Sequence, residues 1–198
     1  MKYIKSYKTF ESFDTKENLY IHIDGSYYPN RPNNIYISAY MTTEDDNNEY
    51  FLSKLYNTTY INKIFDIKID KTNSQLAENV SLHEILNILT KVENKNIIIY
   101  TDYLTNFNII NIKSKFHREM KKISSVLIDL FNKVKEKNNI EIRWIKGHSQ
   151  VYGNMIANNL AQRKASFDTI STYLLDIKEK RRKYQNLRIP QLNIYKKI

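Results

Sequence analysis

The sequence predicts an α/β fold with a central sheet, because strand-like and helix-like hydrophobic patterns follow one another in a characteristic order. Three segments with strand-like alternation come first, and helical patterns alternating with strands follow them. The continuous apolar run at residues 97–100 is typical of a strand buried on both faces. A chain of 198 residues is long enough for one domain with a hydrophobic core.

The first three strands are predicted from period-two alternation and from the turn residues between them. Residues 20–23 alternate Tyr, Ile, His and Ile and run into Asp24-Gly25, which favours a strand that ends at a turn. Residues 35–41 form the second candidate, and the polar run 45–48 predicts a turn into a third strand at 49–55.

The segment 56–71 fits neither period, and we interpret it as a candidate insertion. The remaining elements follow clear periods: a helix over 73–92, a strand over 96–100, a short helix from Leu104, a longer helix over about 117–137, a strand over 140–145 and a helix over 154–165. We expect a short arm at 1–18, one domain at 19–167 and a basic, helical tail at 168–198.

The composition favours a polyanionic partner. The net charge is +10, which favours nucleic acid ahead of an acidic membrane surface, although a basic protein without such a partner remains an alternative. The absence of cysteine excludes disulfides and thiolate metal sites. No apolar run approaches the length of a membrane span, and residues 1–6 lack the apolar core of a signal peptide. We therefore expect an intracellular monomer without a membrane partner, its compartment (cytoplasmic, nuclear or viral factory) unresolved.

Three carboxylates stand at positions that suggest a metal site. Asp24 and Asp102 each follow a predicted strand, and Glu78 lies in the first turns of the helix over 73–92. Two aspartates at the ends of adjacent strands would repel each other unless a cation lies between them or one takes up a proton. Oxygen ligands favour Mg²⁺ or Mn²⁺ over zinc, and a pair of such ions can clamp both reacting oxygens of a phosphodiester.

Each acid also has a simpler interpretation. The Asp24-Gly25 pair could be only a turn, Asp102 could cap a helix, and Glu78 could be a solvated helix residue. Glu84 is a rival acid on a different face of the same helix.

Four motifs together favour the metal site, because their order resembles type 1 ribonuclease H. They are Ile23-Asp24-Gly25-Ser26, residues 73–78 (Asn-Ser-Gln-Leu-Ala-Glu), Tyr100-Thr101-Asp102, and residues 144–149 (Trp-Ile-Lys-Gly-His-Ser) followed by the helix from Asn154. The three glycines of the chain all fall within these motifs or directly after them. The resemblance covers residues 19–166.

The resemblance implies a ribonuclease H-like fold, in which a five-stranded mixed sheet, with three antiparallel strands and then two parallel ones, is flanked by helices. It also implies cleavage of the RNA strand of RNA/DNA hybrids with two Mg²⁺ ions, for which Mn²⁺ could substitute. By position the implied metal ligands are Asp24, Glu78, Asp102 and the backbone carbonyl of Gly25. His148 would lie on a loop that relays a proton or helps the product to leave.

One departure affects the fourth metal ligand. The family carries a carboxylate four residues after the asparagine that corresponds to Asn154, but this chain has Asn158 there. An amide offers an oxygen without negative charge, so the second ion should bind more weakly. A variant with reduced or Mn²⁺-dependent activity, an engineered Asp→Asn change and a domain that binds without cutting are the open explanations. We favour a competent site, with a non-catalytic hybrid- or duplex-binding module and a DNA nuclease or resolvase of the same fold as alternatives.

Nucleic-acid contacts are expected from two kinds of side chain. Polar residues near the predicted site would read the minor groove: Ser26, Asn33, Asn34, Asn73, Ser74, Gln75 and Asn154. Basic residues between Asp102 and the next strand would bind phosphates, although a solvated helix face is the alternative: Lys113, Lys115, His117, Arg118, Lys121 and Lys122. We expect the single Trp144 to pack in the core rather than to stack on bases.

Overall fold

The computed structural model describes residues 18–43, 49–112, 118–147 and 151–162. Its five strands form one sheet in the order β3-β2-β1-β4-β5. The strands are β1 (Asn18–Tyr27), β2 (Asn34–Thr43), β3 (Glu49–Asn57), β4 (Asn96–Thr101) and β5 (Asn139–Trp144). The helices are α1 (Thr58–Phe65), α2 (Ser74–Leu89), α3 (Leu104–Asn111), α4 (Arg118–Lys135) and α5 (Tyr152–Ala161).

The sheet is mixed, as the resemblance implied. Strands β1, β2 and β3 pair antiparallel, whereas β1 pairs parallel with β4 and β4 parallel with β5. In the β1–β4 register Ile23 lies opposite Thr101. The residues that follow these two positions, Asp24 and Asp102, therefore lie at the same edge of the sheet.

The main core lies between one face of the sheet and α2. Alternate residues of β1, namely Leu19, Ile21 and Ile23, are almost completely buried there. Helix α2 packs against β1, β2 and α4 and buries twelve side chains, among them polar ones such as Asn79 and Glu84. The helix predicted over 73–92 is confirmed as α2. Because β1, β2 and α4 surround it on most sides, its buried surface is wider than the single apolar stripe of an amphipathic helix.

The opposite face of the sheet is covered in part by α5, which contacts β1 and β2. At Gly153 a Cβ atom would lie 2.1 Å from Cδ2 of His22, so the helix can approach the strand this closely only with glycine. The His22 ring is buried and stacks on Tyr100 with ring centroids 4.6 Å apart.

The ambiguous segment 56–71 contains α1. Asn57 caps this helix, since its side chain accepts a hydrogen bond from the Tyr60 backbone N–H at 3.0 Å. Asp66 ends it in the left-handed conformation and forms a 2.7 Å salt bridge with Lys122 of α4. Hydrogen bonds to polar neighbours thus fix a helix that hydrophobic periodicity did not predict.

Two sequence predictions were wrong. Strand β1 does not end at Asp24-Gly25 but continues to Tyr27, because Gly25 pairs with Ile37 of β2 and has no positive φ. Trp144 does not pack in the core: it is 44 % exposed at the end of β5.

None of the described helices is long and apolar enough to cross a bilayer. Several predictions concern residues outside the described part of the chain: the arm before residue 18, the turn at 45–48, Lys113, Lys115, His117, the Arg118 side chain, His148 and the tail at 168–198.

Candidate metal centre

The structure brings Asp24, Glu78 and Asp102 together. Each offers a carboxylate oxygen that lies within 4.8 Å of the others. The rival acid Glu84 takes no part, because its carboxylate accepts hydrogen bonds from Tyr56 at 2.5 Å and from Tyr60. The three acids that the sequence singled out therefore form one cluster, and the fourth acid has a separate structural environment.

Gly25 positions Glu78 against Asp24. A Cβ atom on Gly25 would lie 2.2 Å from the carbonyl carbon of Ala77 and 2.5 Å from the backbone nitrogen of Glu78. The backbone of α2 therefore rests directly on β1 beside Asp24, which is 6 % exposed. Asp24 Oδ1 accepts a 2.8 Å hydrogen bond from the Gly25 N–H.

Glu78 is fixed by its main chain, while one of its carboxylate oxygens has no partner. Asn73 caps α2 by accepting a 2.8 Å bond from the Leu76 N–H, and the buried Asn106 donates a 3.0 Å bond to the Glu78 carbonyl. Glu78 Oε2 is buried without a hydrogen-bond partner among the described residues. Burial, and then the nearby carboxylates of Asp24 and Asp102, raise the pKa of Glu78 well above its usual value.

Asp102 is positioned by contacts from β5 and α5. Its backbone carbonyl accepts a 3.1 Å bond from the indole N–H of Trp144. Its Oδ2 accepts a 3.2 Å bond from Asn154 Nδ2, and a Cβ atom on Gly147 would lie 3.3 Å from this oxygen. The second glycine motif thus approaches the same cluster as the first.

These residues fit a hard divalent cation. In the described part of the chain neither Glu78 nor Asp102 forms a salt bridge, so no basic side chain neutralises either of them. A buried, unpartnered carboxylate oxygen beside two other carboxylates is costly without a counter-charge. A cation bound by oxygen ligands would supply that charge, which matches the preference of Mg²⁺ and Mn²⁺.

Asn158 is half-buried and makes a local contact. Its Oδ1 accepts a 2.7 Å hydrogen bond from Gln162 Nε2, one turn further along α5. Within the described part of α5, Asn154 donates to Asp102 of the cluster, although the sequence assigned it to nucleic-acid binding.

Five of the predicted groove-reading residues lie at the start of β2 and at the start of α2, two places that the structure joins, whereas Ser26 lies in β1 and Asn154 in α5. Thr72 donates from its backbone N–H to the Pro32 carbonyl at 2.6 Å and from its hydroxyl to the Asn34 carbonyl at 3.2 Å. The loop before β2 and the start of α2 are thereby held together. Four of the predicted residues are exposed, and Ser26 and Asn34 are half-buried; the exposed ones are Asn33, Asn73, Ser74 and Gln75.

The predicted basic cluster is only partly within the described residues. Lys121 is exposed on α4, while Lys122 is engaged with Asp66 at 2.7 Å. Part of the charge of Lys122 is therefore neutralised by α1.

Sequence reasoning missed two residues of the centre, Asn106 and Trp144. Both act on the main chain of an acid rather than on its carboxylate, and no sequence pattern signals such a contact. Trp144 does lie three residues before Gly147 within a motif that we singled out, so its position was marked although its role was not.

Comparisons with known proteins agree with this fold. A family model described as RNase H matches residues 16–166. The fold is similar to an N-terminal RNase H domain from Mycobacterium tuberculosis, with a TM-score of 0.53, 17% identity, and coverage of 75% of this chain and 94% of that one. An RNase H1 isolated from compost has a TM-score of 0.51 and 17% identity, covering 72% and 91% of the two chains. RNase H1 from Halobacterium salinarum has a TM-score of 0.51 and 12% identity, covering 73% and 94%. No match was found among curated protein sequences.

Proposed function

The chain belongs to the RNase H family, and from this premise we propose that it is an endonuclease that hydrolyses the RNA strand of RNA/DNA hybrids with divalent cations. The observation that carries the proposal is the convergence of Asp24, Glu78 and Asp102 within 4.8 Å. Because all three acids belong to one chain, we propose that a monomer contains the complete centre.

In this proposal Asp24, Glu78 and Asp102, with the Gly25 carbonyl, hold two Mg²⁺ or Mn²⁺ ions. Such ions, when bound, lower the pKa of an attacking water and stabilise charge on a phosphodiester. The protein residues fix the ligand positions: Gly25 allows Glu78 to approach β1, and Trp144 and Asn154 orient Asp102. His148 would relay a proton or help the product to leave.

The proposed substrate contacts follow from the exposed amides beside the cluster. Asn33 and Asn73 are exposed in the segments that Thr72 holds together, and Gln75 is exposed in the first turn of α2, the helix that carries Glu78. Amide side chains can hydrogen-bond the 2′-hydroxyls that distinguish an RNA strand from DNA. The net charge of +10 supports phosphate binding, to which Lys113, Lys115, Arg118, Lys121 and the basic tail at 168–198 would contribute.

The test is cleavage of a hybrid labelled on its RNA strand, in Mg²⁺ and in Mn²⁺. We expect cleavage by the native chain and its loss in Asp24→Asn and Glu78→Gln, with Asp129→Asn, an exposed acid on α4, as the matched control. Double-stranded DNA, double-stranded RNA and a four-way junction complete the panel.

Asn158 supports one alternative, a module that binds hybrids without cutting them, since this residue brings no fourth carboxylate. Intact RNA with both metals, even after Asn158→Asp, would refute the enzymatic proposal. Cleavage of the junction or of DNA in preference to the hybrid would instead indicate a DNA nuclease of the same fold.

A further inference from the structure

Helix α5 carries two asparagines one turn apart, Asn154 and Asn158, and their side chains have different surroundings. Asn158 is half-buried, and its amide oxygen already accepts a hydrogen bond from Gln162 at 2.7 Å. Asn154 lies one turn earlier on the same helix face and is 4 % exposed. Asn154 contacts the cluster directly, since its Nδ2 lies 3.2 Å from Asp102 Oδ2.

The amide oxygen of Asn154 is not used by the fold. Asn154 Oδ1 is buried and has no hydrogen-bond partner among the described residues. A buried amide oxygen without a partner destabilises the fold, and this one belongs to a side chain that contacts the carboxylate cluster. This oxygen is therefore available to a cation, because an uncharged amide oxygen is an ordinary ligand of hard divalent ions.

The Asp102 contact shows how the same side chain could serve with and without a cation. The nitrogen and oxygen of an amide exchange places when the group rotates by half a turn. Without a cation, the Asn154 nitrogen donates to Asp102 Oδ2 and compensates part of its charge. With a cation on Asp102, the reversed amide would direct its oxygen to that cation.

We infer that the amide ligand from α5 is Asn154 and that Asn158 does not coordinate metal in this chain. The inference rests on the proposed function only in that the cluster binds a divalent cation. The family pattern places the metal ligand of α5 at position 158, and the inference places it one turn earlier, at Asn154. Asn154 is then a metal ligand in place of a nucleic-acid contact.

The experiment measures binding of Mn²⁺ alone to the full chain, by calorimetry and by the electron paramagnetic resonance of free Mn²⁺, without nucleic acid. We expect Asn154→Ala to weaken Mn²⁺ binding by about tenfold or more, the range found when groups that support a metal site are removed. Asn158→Ala should bind Mn²⁺ like the native chain, as should the control Asn159→Ala at an exposed position of the same helix.

A second pair of variants separates coordination from orientation of Asp102. Asn154→Asp and Asn158→Asp each add one negative charge to the same helix face, one turn apart. A ligand at 154 predicts that Asn154→Asp raises Mn²⁺ affinity more than Asn158→Asp does. A residue that only donates to Asp102 predicts a fall in affinity for Asn154→Asp, because the donated hydrogen bond is replaced by repulsion between carboxylates.

Three results would overturn the inference: weaker binding in Asn158→Ala than in Asn154→Ala, a larger gain in Asn158→Asp than in Asn154→Asp, or lower affinity in Asn154→Asp. The melting temperature of each variant without metal checks that it is folded. Because no nucleic acid is present, the outcome is independent of hybrid cleavage. If the variants show this binding pattern but the chain leaves RNA intact, Asn154 remains the metal ligand and the proposed function is refuted.

Discussion

The contact between Gly25 and α2 allows a prediction whose size can be worked out from the structure. In Gly25→Ala the new Cβ atom would lie 2.2 Å from Ala77 C and 2.4 Å from Ala77 O, where ordinary contacts begin at 3.4 Å. Strand and helix must therefore separate by about 1.2 Å to go from 2.2 Å to 3.4 Å. The obstructing atoms are helix backbone, which cannot rotate aside as a side chain can.

The cost of this separation should reach the upper end of the usual range for overpacking, about 3 kcal/mol. For a domain of this size that corresponds to a fall in melting temperature of roughly 6–12 °C. The separation also moves Glu78 away from Asp24, so the rise in melting temperature caused by Mg²⁺ or Mn²⁺ should shrink along with stability.

Thermal unfolding with and without Mn²⁺ measures both effects. Gly147→Ala is the matched control for stability, because its Cβ would lie 3.3 Å from a side-chain oxygen, Asp102 Oδ2, and would need a shift of only a few tenths of an ångström. A Gly25→Ala protein with native stability and a native response to Mn²⁺ would show that the approach of α2 to β1 does not position Glu78.

Three further predictions follow from buried ionisable groups. Burial lowers the pKa of His22 to about 3, so stability should fall by about 1.4 kcal/mol per pH unit as the pH drops below 6.5, and His22→Phe should remove this slope in denaturant titrations. The pKa of Glu78 is raised, so its carboxylate destabilises the metal-free fold increasingly as pH rises above 4.5. Glu78→Gln should therefore stabilise the metal-free fold more at pH 8 than at pH 5. The rise in melting temperature that Mn²⁺ causes in the unchanged chain should also be larger at pH 8. Burial raises the pKa of Glu84, but hydrogen bonds from His83, Tyr56 and Tyr60 outweigh burial and lower the pKa. Glu84→Gln should lower the free energy of unfolding by about 2–3 kcal/mol at pH 7 and leave the Mn²⁺-induced rise in melting temperature unchanged. A changed Mn²⁺ response would show that Glu84 and Glu78 are coupled.

The strands, most helices and the acid cluster could be predicted because each depends on a local pattern. The apolar run at 97–100 and the alternation at 20–23 are visible within a few residues, and the motifs that carry Asp24, Glu78 and Asp102 are short. Register and strand order bring these acids together; the resemblance implied a mixed sheet, whereas the strand order and the register come from the structure.

The errors occurred where distant contacts override a local signal. Asp24-Gly25 is a common turn pair, but here β2 pairs with Gly25 and the strand continues. Helix α1 is capped by Asn57 and linked to α2 by the hydrogen bond from Tyr60 to Glu84, and no periodicity reveals either contact. The position of Trp144 in a predicted strand favours core packing, whereas in the structure its indole N–H lies at the protein surface and donates to the Asp102 carbonyl.

The parallel pairing of β1 with β4 also affects the order of folding. Asp24 belongs to the first described strand and Asp102 follows the fourth, so the cluster forms only after segments distant along the chain have met. Pairing of this kind is slow, because the intervening loop must close before its contacts stabilise it. A nascent or truncated chain that ends before β4 would therefore lack high affinity for Mn²⁺, and in refolding experiments the appearance of Mn²⁺ binding would mark the moment at which the central strands dock.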